Sequence, residues 1–255
     1  MTIAAILAGG AGSRMGSVNM PKQYLRLGSR PILVHTVEKF FVHPKVEHVV
    51  VLVPSSWLGF TQDILNEHLP NHPKTPAGVP GAPGDHNVAL IAGGERRNDT
   101  LRCALDYVKA HFGDEEDHIL LTHDAVRPFV THRIISENIL AAQKHGACDT
   151  VIPASDTIVR SDDGQFISLI PPRGSMYQGQ TPQTFTCNKL RLLMDSLLPE
   201  EEAVLTDACK IYALRGEPVA LVPGEVHNIK ITYPFDLKVA HAMLGLDELP
   251  TGDSL

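Results

Sequence analysis

The chain has 255 residues, of which 43% are hydrophobic, and its formal net charge at pH 7 is -7. This composition is typical of an ordinary globular protein, and the acidic balance argues against general nucleic-acid binding, which needs a basic face. We find no apolar run long enough to span a membrane and no secretory signal. The four dispersed cysteines lack metal-ligand spacing and fit reduced thiols, so we expect a cytoplasmic protein that binds neither nucleic acid nor membrane.

A short buried strand is predicted over residues 2–7, and it runs into a turn with glycines at positions 9, 10, 12 and 16. Without a Cβ atom in the way, the backbone N–H groups of such a turn can approach an anion closely. Arg14 and Lys22 bring two positive charges to the same place. The combination suits a nucleoside triphosphate, although the turn matches neither a Walker A loop nor a dinucleotide fingerprint.

Strands and helices alternate through the first 150 residues or so, which predicts a mostly parallel sheet with helices on both faces in one Rossmann-like α/β domain. Ligands of such sheets bind beyond the carboxyl ends of the strands. The predicted elements, in chain order, are a helix over 32–41, a strand over 49–53, a helix capped by one of residues 98–100, a strand over 118–122, a helix near 134–145 and a strand from 151.

Two segments interrupt this alternation. Residues 70–85 are rich in Pro, Gly and His, which predicts an exposed loop without a catalytic role. Residues 157–177 alternate short apolar stretches with turn residues, and we expect them to form an extended hairpin, an arm that contacts another subunit. The whole chain is otherwise interpreted as a single domain over residues 1–255.

Polar segments follow the predicted strands. Residues 92–100 carry two glycines before a helix start, where backbone amides could bind a base or ribose, although a plain loop-to-helix junction is the preferred interpretation of this segment alone. After the strand at 118–122, Asp124 could hold Mg²⁺ or a hydroxyl and Arg127 a phosphate, or the two could pair and fix the loop. His123 fits a structural hydrogen-bonding role better than that of a base.

Lys230 lies in an apolar, strand-like pattern that would not tolerate a lysine without an anionic partner. The chain shows no Ser/His/Asp order, no Cys/His pair with family spacing and no pair of carboxylates that acts as acid and base. A cationic site without an obvious nucleophile favours transfer of a phosphorus centre between two bound substrates, by positioning and charge stabilisation.

These segments, in this order, resemble the cytidylyltransferases that activate polyol phosphates, from about residue 3 to about residue 244. The resemblance rests on the glycine turn with Arg14 and on five further motifs. They are Pro21-Lys22-Gln23, Gly93-Gly94 with Arg97 and Thr100, His123-Asp124-Ala125-Val126-Arg127-Pro128, Gln180-Thr181-Pro182-Gln183 and Asn228-Ile229-Lys230-Ile231-Thr232.

The resemblance implies a homodimer in which CTP and a polyol phosphate react directly and Mg²⁺ offsets the charge of the triphosphate. By the family pattern, Arg14 and Lys22 hold the triphosphate, Lys230 positions the attacking phosphate, and Arg173 in the arm reaches the neighbouring subunit's substrate. Asp124, also the candidate metal ligand, Arg127 and Thr157 are expected at the polyol phosphate. The residues expected to bind the nucleotide are Leu7, Ala8, Gly9, Gly10, Gly94, Arg97, Asn98 and Thr100.

Within this family two groups compete, one acting on ribitol 5-phosphate and one on methylerythritol phosphate. Gly9 in the turn and the amino-acid sequences of residues 176–183, 206–210 and 226–232 resemble the ribitol group. The product would then be CDP-ribitol for a cell-surface polymer such as teichoic acid, in cell-wall biogenesis. A nucleotidyltransferase for sugar 1-phosphates and a non-catalytic nucleotide-binding regulator are the more remote alternatives.

Overall fold

The computed structural model describes residues 1–10, 20–69, 87–203, 205 and 207–247. Arg14, Thr206 and the loop predicted at 70–85 lie outside the described residues. The strands are β1 Thr2–Leu7, β2 Arg26–Leu27, β3 Arg30–Pro31, β4 His48–Val53, β5 Asn87–Ala92, β6 Ile119–Asp124, β7 Ala147–Pro153, β8 Tyr177–Thr186 and β9 Ala220–Pro223. The helices are α1 Ile32–Phe41, α2 Leu58–His68, α3 Arg97–Phe112, α4 His132–His145, α5 Cys187–Asp195, α6 Pro199–Ala203, α7 Cys209–Leu214 and α8 Pro234–Asp247.

Seven of these strands form one sheet in the order β5-β4-β1-β6-β8-β7-β9. The pairs β1–β4, β1–β6, β4–β5 and β7–β9 are parallel, whereas β8 is antiparallel to both of its neighbours. The predicted, mostly parallel sheet is therefore confirmed. Because β1, β4, β5 and β6 are mutually parallel, their carboxyl ends share one edge of the sheet.

Both faces of the sheet are covered, because side chains of a strand alternate between faces. In β1, Ala4 and Ile6 join the cluster that contains α1, α2 and α4, whereas Ile3 and Ala5 join the cluster that contains α3, α5 and α7. All four side chains are fully buried. This double burial explains why residues 3–7 of β1 and 49–53 of β4 are apolar without interruption.

A third, smaller cluster lies beside the carboxyl edge of the sheet. Leu27 and Ile32 pack there against Val126, which follows β6, and against Ile231 and Ala240 near the carboxyl end of the chain. The backbone N–H of Ile231 also donates to the carbonyl of Val126 over 3.0 Å. Two loops that are far apart in sequence are thereby fastened together.

Two of the local predictions that differ from the structure concern the start of α3 and the arm. Helix α3 begins at Arg97, earlier than a cap at residues 98–100 implies, because Arg96 is the N-cap and the Asp99 carboxylate accepts from its backbone N–H over 3.1 Å. Residues 157–177 are largely exposed, but they contain a single isolated bridge, between Arg160 and Leu169, rather than an extended hairpin. The arm is therefore mostly irregular.

None of the helices in the described ranges is long and apolar enough to cross a membrane.

Candidate active site

A cleft of about 320 Å³ opens at the carboxyl edge of the sheet. Its walls come from the turn after β1, the junction between β5 and α3, the loop after β6 and a segment before α8. The residues that line it are Leu7, Ala8, Gly9, Gly10, Lys22, Gln23, Gly94, Glu95, Arg96, Arg97, Thr100, Asp124, Ala125, Val126, Lys230 and Thr232.

The end of β1 is held in place by backbone and side-chain hydrogen bonds. Ala8 donates its backbone N–H to the carbonyl of Leu52 over 2.8 Å, and the carboxamide of Gln23 donates to the carbonyl of Ala8 over 2.7 Å. Gln23 is buried and follows Lys22 in a short 3₁₀ turn, Lys22–Tyr24. The bond from Gln23 therefore places Lys22 beside the glycine turn.

The junction between β5 and α3 is close-packed around two glycines. A Cβ atom on Gly94 would collide with Asp99, and one on Gly93 would lie 3.1 Å from the Thr100 side chain. The Thr100 hydroxyl donates to the carbonyls of Gly94 and Arg96, over 3.2 and 3.0 Å. Glycine is required at Gly94 because the chain folds back onto the first turn of α3, whose N-terminus favours an anion.

Asp124 is the electrostatic centre of the cleft. Its Oδ1 atom lies 2.6 Å from the Arg97 guanidinium, and its Oδ2 atom lies 3.3 Å from Arg127 Nε and 2.9 Å from Lys230 Nζ. The carboxylate is buried. One buried anion therefore gathers three cations, which leaves an excess of positive charge facing the cleft.

These charges set the protonation states. Burial alone would raise the pKa of Asp124, but the positive charges of Arg97, Lys230 and Arg127 outweigh it and hold the pKa below its ordinary value. Burial lowers the pKa of Arg127, and the charge of Asp124 opposes that shift. Asp124 is therefore a fixed anion at neutral pH.

The segment that carries Lys230 is fastened to its surroundings at several points. The Nζ atom of Lys22 donates to the carbonyl of Ile231 over 2.9 Å, and the guanidinium of Arg127 donates to the carbonyl of Asn228 over 2.8 Å. The carboxamide of Asn228, fully buried, donates to Gln180 Oε1 and to the Thr181 carbonyl, over 3.1 and 2.9 Å. The two lysines expected at the phosphates are thus tied to one framework.

The structure brings most of the predicted site residues together. Those that line the cleft are Leu7, Ala8, Gly9, Gly10, Lys22, Gly94, Arg97, Thr100, Asp124 and Lys230. Arg127 lies behind Asp124. Asn98 is buried outside the lining, and its Oδ1 atom has no hydrogen-bond partner among the described residues. The binding and catalytic roles of all these residues stay predictions.

Two predicted residues do not reach the cleft of their own chain. Thr157 and Arg173 belong to the arm and are absent from the described lining. Arg173 is exposed, and its guanidinium donates to the carbonyl of Ser155 over 3.4 Å.

Sequence reasoning missed the roles of Gln23, Arg96, Val126 and Thr232. Gln23 could have been found, because a polar residue directly after Lys22 in a buried turn needs a hydrogen-bond partner. Val126 and Thr232 reach the cleft only through packing between the loop after β6 and the segment before α8, which no local pattern reveals.

The described residues do not form a magnesium site held by protein side chains alone. Among the described residues no group of three or more His, Cys, Asp or Glu side chains could hold a metal ion. Both oxygens of Asp124 already face cations, which a metal ion would have to displace. The geometry therefore makes Asp124 a counter-ion, and its predicted role as a metal ligand finds no support in it.

The comparisons with known proteins agree with this geometry. The family "IspD: 2-C-methyl-D-erythritol 4-phosphate cytidylyltransferase" matches residues 2–246. A solved structure of 4-diphosphocytidyl-2C-methyl-D-erythritol synthase from Anaerococcus prevotii DSM 20548 is 25% identical, with a TM-score of 0.75 over 96% of each chain.

A second solved structure gives the same result. The 2-C-methyl-D-erythritol 4-phosphate cytidylyltransferase from Thermus thermophilus is 26% identical, with a TM-score of 0.67 over 95% of this chain and 98% of that one. The glycine turn, the cationic cleft and the match over nearly the whole sequence lead to one conclusion: the chain belongs to the IspD family and is a CTP-dependent cytidylyltransferase.

Proposed function

We propose that the enzyme transfers CMP from CTP to D-ribitol 5-phosphate and releases pyrophosphate. The observation that carries the proposal is the cleft itself, in which Arg97 and Lys230 pair with one buried carboxylate and Lys22 adds a further cation to the lining. Its described lining contains no serine, cysteine or histidine that could form a covalent intermediate. Such a site stabilises developing negative charge and holds two substrates in line.

In the proposed reaction a phosphate oxygen of the polyol phosphate attacks the α-phosphorus of CTP. The bond from the α-phosphorus to the oxygen that bridges to the β-phosphate breaks, and its electron pair leaves with pyrophosphate. Arg14 and Lys22 stabilise the charge on the α-phosphate and the leaving group, and Lys230 orients the attacking phosphate. Mg²⁺ bound with CTP would offset the charge of the triphosphate, whereas Asp124 is already paired with Arg97 and Lys230.

CTP would bind along the two glycine-containing segments of the cleft. The turn from Leu7 to Gly10 and the junction from Gly94 to Thr100, with Arg97 and Asn98, would contact the base, ribose and phosphates. The N-terminus of α3 adds a favourable field for the anion.

Ribitol 5-phosphate is proposed because of the amino-acid sequence of particular segments. Gly9 in the turn and residues 176–183, 206–210 and 226–232 resemble the ribitol enzymes. The second candidate is 2-C-methyl-D-erythritol 4-phosphate, which the matching family and the Thermus thermophilus structure carry in their names, while the Anaerococcus prevotii structure is named a 4-diphosphocytidyl-2C-methyl-D-erythritol synthase. The two substrates differ by a methyl branch and one carbinol. The ribitol product would feed a cell-surface polymer such as teichoic acid.

The substrate assay is pyrophosphate release with each polyol phosphate under identical conditions. A pocket built to hydrogen-bond a hydroxyl rejects an analogue that lacks it, so we expect ribitol 5-phosphate to be preferred by at least about 10²-fold in kcat/KM. CTP should be preferred over UTP, because acceptors that face a 4-amino group stay unpaired against a carbonyl. Equal or better turnover of methylerythritol phosphate would establish the second candidate instead.

The arm supports a proposed homodimer with shared active sites. Phe166 and Ile167 at its tip are 75% and 60% exposed, which suits burial against a partner. In such a dimer Thr157 and Arg173 would complete the polyol phosphate site of the other chain. Mixing Lys22→Ala and Arg173→Ala subunits should restore activity, because one cleft of the mixed dimer keeps both wild-type residues. Absence of recovery after proven subunit exchange would refute a shared site.

A further inference from the structure

A buried hydrogen-bond chain connects β8 to the end of β6. The backbone N–H of Asp124 donates to Thr181 Oγ1 over 3.2 Å, and Thr181 Oγ1 lies 2.9 Å from Nδ1 of His123. The other ring nitrogen of His123, Nε2, lies 3.1 Å from the carbonyl oxygen of Arg127. Thr181 and His123 are both buried. Together they bridge both ends of the turn formed by residues 124–127.

The direction of each hydrogen bond follows from chemistry. A carbonyl oxygen only accepts, so His123 Nε2 must carry a proton and donate it to Arg127. Burial lowers the pKa of His123 to about 3, so the ring is neutral and its Nδ1 atom is an acceptor. The Thr181 hydroxyl therefore donates to Nδ1 and accepts from Asp124. The His123 imidazole therefore has one tautomer, with its proton on Nε2, and the hydroxyl proton of Thr181 points at Nδ1.

This hydrogen-bond chain contacts residues of the cleft but does not itself line the cleft. Neither Thr181 nor His123 belongs to the described lining, and both nitrogens of the imidazole are occupied. Phe40 packs against the ring with a centroid separation of 4.9 Å, which opposes its rotation. The hydrogen-bond chain fixes the backbone at Asp124 and Arg127. The side chain of Asp124 pairs with those of Arg127 and Lys230.

We propose that Thr181 and His123 are positioning residues that fix the turn 124–127 and so orient Asp124, Arg127 and Lys230 toward the acceptor polyol phosphate. This inference rests on the proposed function, since it assigns that cation group to the acceptor. A displacement of about 1 Å at such a group can cost about 10²-fold in rate. The predicted defect is therefore in use of the acceptor rather than of CTP.

The first test replaces Thr181. Thr181→Val keeps the shape but removes the hydroxyl, whereas Thr181→Ser keeps the hydroxyl. Thr184→Val is the matched control, because Thr184 is also buried in β8 and donates to Asn138 Oδ1 over 3.1 Å. We expect Thr181→Val to lower kcat/KM for the polyol phosphate by about 10–10²-fold with KM for CTP changed by less than about twofold. Thr181→Ser and Thr184→Val should stay near wild type.

The second test replaces His123. Gln can place an N–H where Nε2 donates, so His123→Gln should keep the bond to the Arg127 carbonyl, whereas His123→Leu removes it. We expect His123→Gln to retain at least about tenfold more activity than His123→Leu. If both variants were equally inactive, His123 would act as a base and the positioning role would be overturned. Equal kinetics of Thr181→Val and Thr184→Val would overturn it as well.

A readout without turnover separates this inference from the proposed function. Hydrogen exchange of the Asp124 amide in the unliganded enzyme should be faster in Thr181→Val than in Thr184→Val, because only the first loses the acceptor of that N–H. If the Asp124 amide exchanged at the same rate in both variants, the proposed hydrogen bond from Asp124 to Thr181 would be refuted. A wild-type enzyme that released no pyrophosphate with either polyol phosphate would instead refute the proposed function and, with it, the assignment to the acceptor.

Discussion

An aspartate and a histidine lie next to each other at both ends of β6, and the two aspartates are in opposite environments. At the start, Asp117 is exposed and accepts from the backbone N–H of Asn188 over 3.0 Å, and His118 packs against Phe112. At the end, Asp124 is buried among three cations. The same two residue types thus serve as ordinary surface and core at one end and as an electrostatic site at the other.

The difference shows what a buried charge requires. A carboxylate can leave water only where cations and hydrogen-bond donors replace its hydration. The carboxyl edge of the sheet provides them because the start of α3, the loop after β6 and the segment before α8 converge there, whereas Asp117 at the amino edge accepts from one exposed backbone N–H among the described residues. Departures from the usual burial pattern are expected at functional sites, and they occur at the end that holds the cleft.

The largest expected effect comes from neutralising the two aspartates. Asp124→Asn leaves three cations without their common anion, and we expect it to lower the free energy of unfolding by about 3–5 kcal/mol in urea titrations at pH 7.5. Asp117→Asn, the matched control at the other end of β6, should cost less than about 0.5 kcal/mol. If the two variants were equally stable, the contrast between the ends of β6 would have no energetic basis.

The next effect concerns a lysine at each edge. Lys22→Ala should lower turnover by about 10²–10³-fold, because it removes a charge that acts mainly in the transition state, and affinity for CTP should fall less. Lys109→Ala is the control, since Lys109 lies in the last turn of α3 and pairs with Asp114. Pyrophosphate release measures both. Near-normal turnover of Lys22→Ala would remove Lys22 from the catalytic group.

The effect that is smallest at neutral pH, and grows only in acid, tests the amino edge through pH. Burial, assisted by the charge of His111, lowers the pKa of His48 to about 4, and its Nε2 atom lies 3.0 Å from the Tyr107 hydroxyl. Below pH 6.5 the unfolded chain binds a proton that the folded chain refuses, so this histidine destabilises the fold as pH falls. His48→Gln removes that contribution.

We therefore expect the stability of wild type relative to His48→Gln to fall by about 1.4 kcal/mol per pH unit, beginning near pH 6.5 and ending near pH 4. Urea titrations at several pH values measure it, and kinetic constants at pH 7.5 should be unchanged because His48 is outside the cleft. A difference in stability that does not vary with pH would show that His48 is protonated equally in both states.

Much of the fold could be predicted from local patterns. Helix α1 has the predicted bounds, Ile32–Phe41, and the β-branched run at 49–53 lies within β4. The start of α3 was missed because Arg96, a poor capping residue by type, takes the N-cap position while Asp99 caps from within the helix. The arm was predicted to be an extended hairpin because short apolar stretches alternate with turn residues there. Such alternation is a weak guide to structure where the segment does not pack against a sheet.

The candidate site could be predicted only in part. The Asp124–Arg127 pair, three residues apart, is one of the two interpretations that the sequence allowed, and the structure contains it. Lys230 was expected to need an anionic partner, and Asp124 provides one at 2.9 Å. The strand expected around Lys230 is absent, since residues 227–232 form a loop.

By itself the sequence determined the apolar strands, the glycine turn and the family, because each depends on residues close together in the chain. Only the tertiary structure decided which cations meet at Asp124 and how Thr181 and His123 bridge the turn beside it. Residues 97, 124, 181 and 230 come from four separate segments. Their contacts depend on strand order and on the packing of loops at one edge of the sheet, which no local pattern specifies.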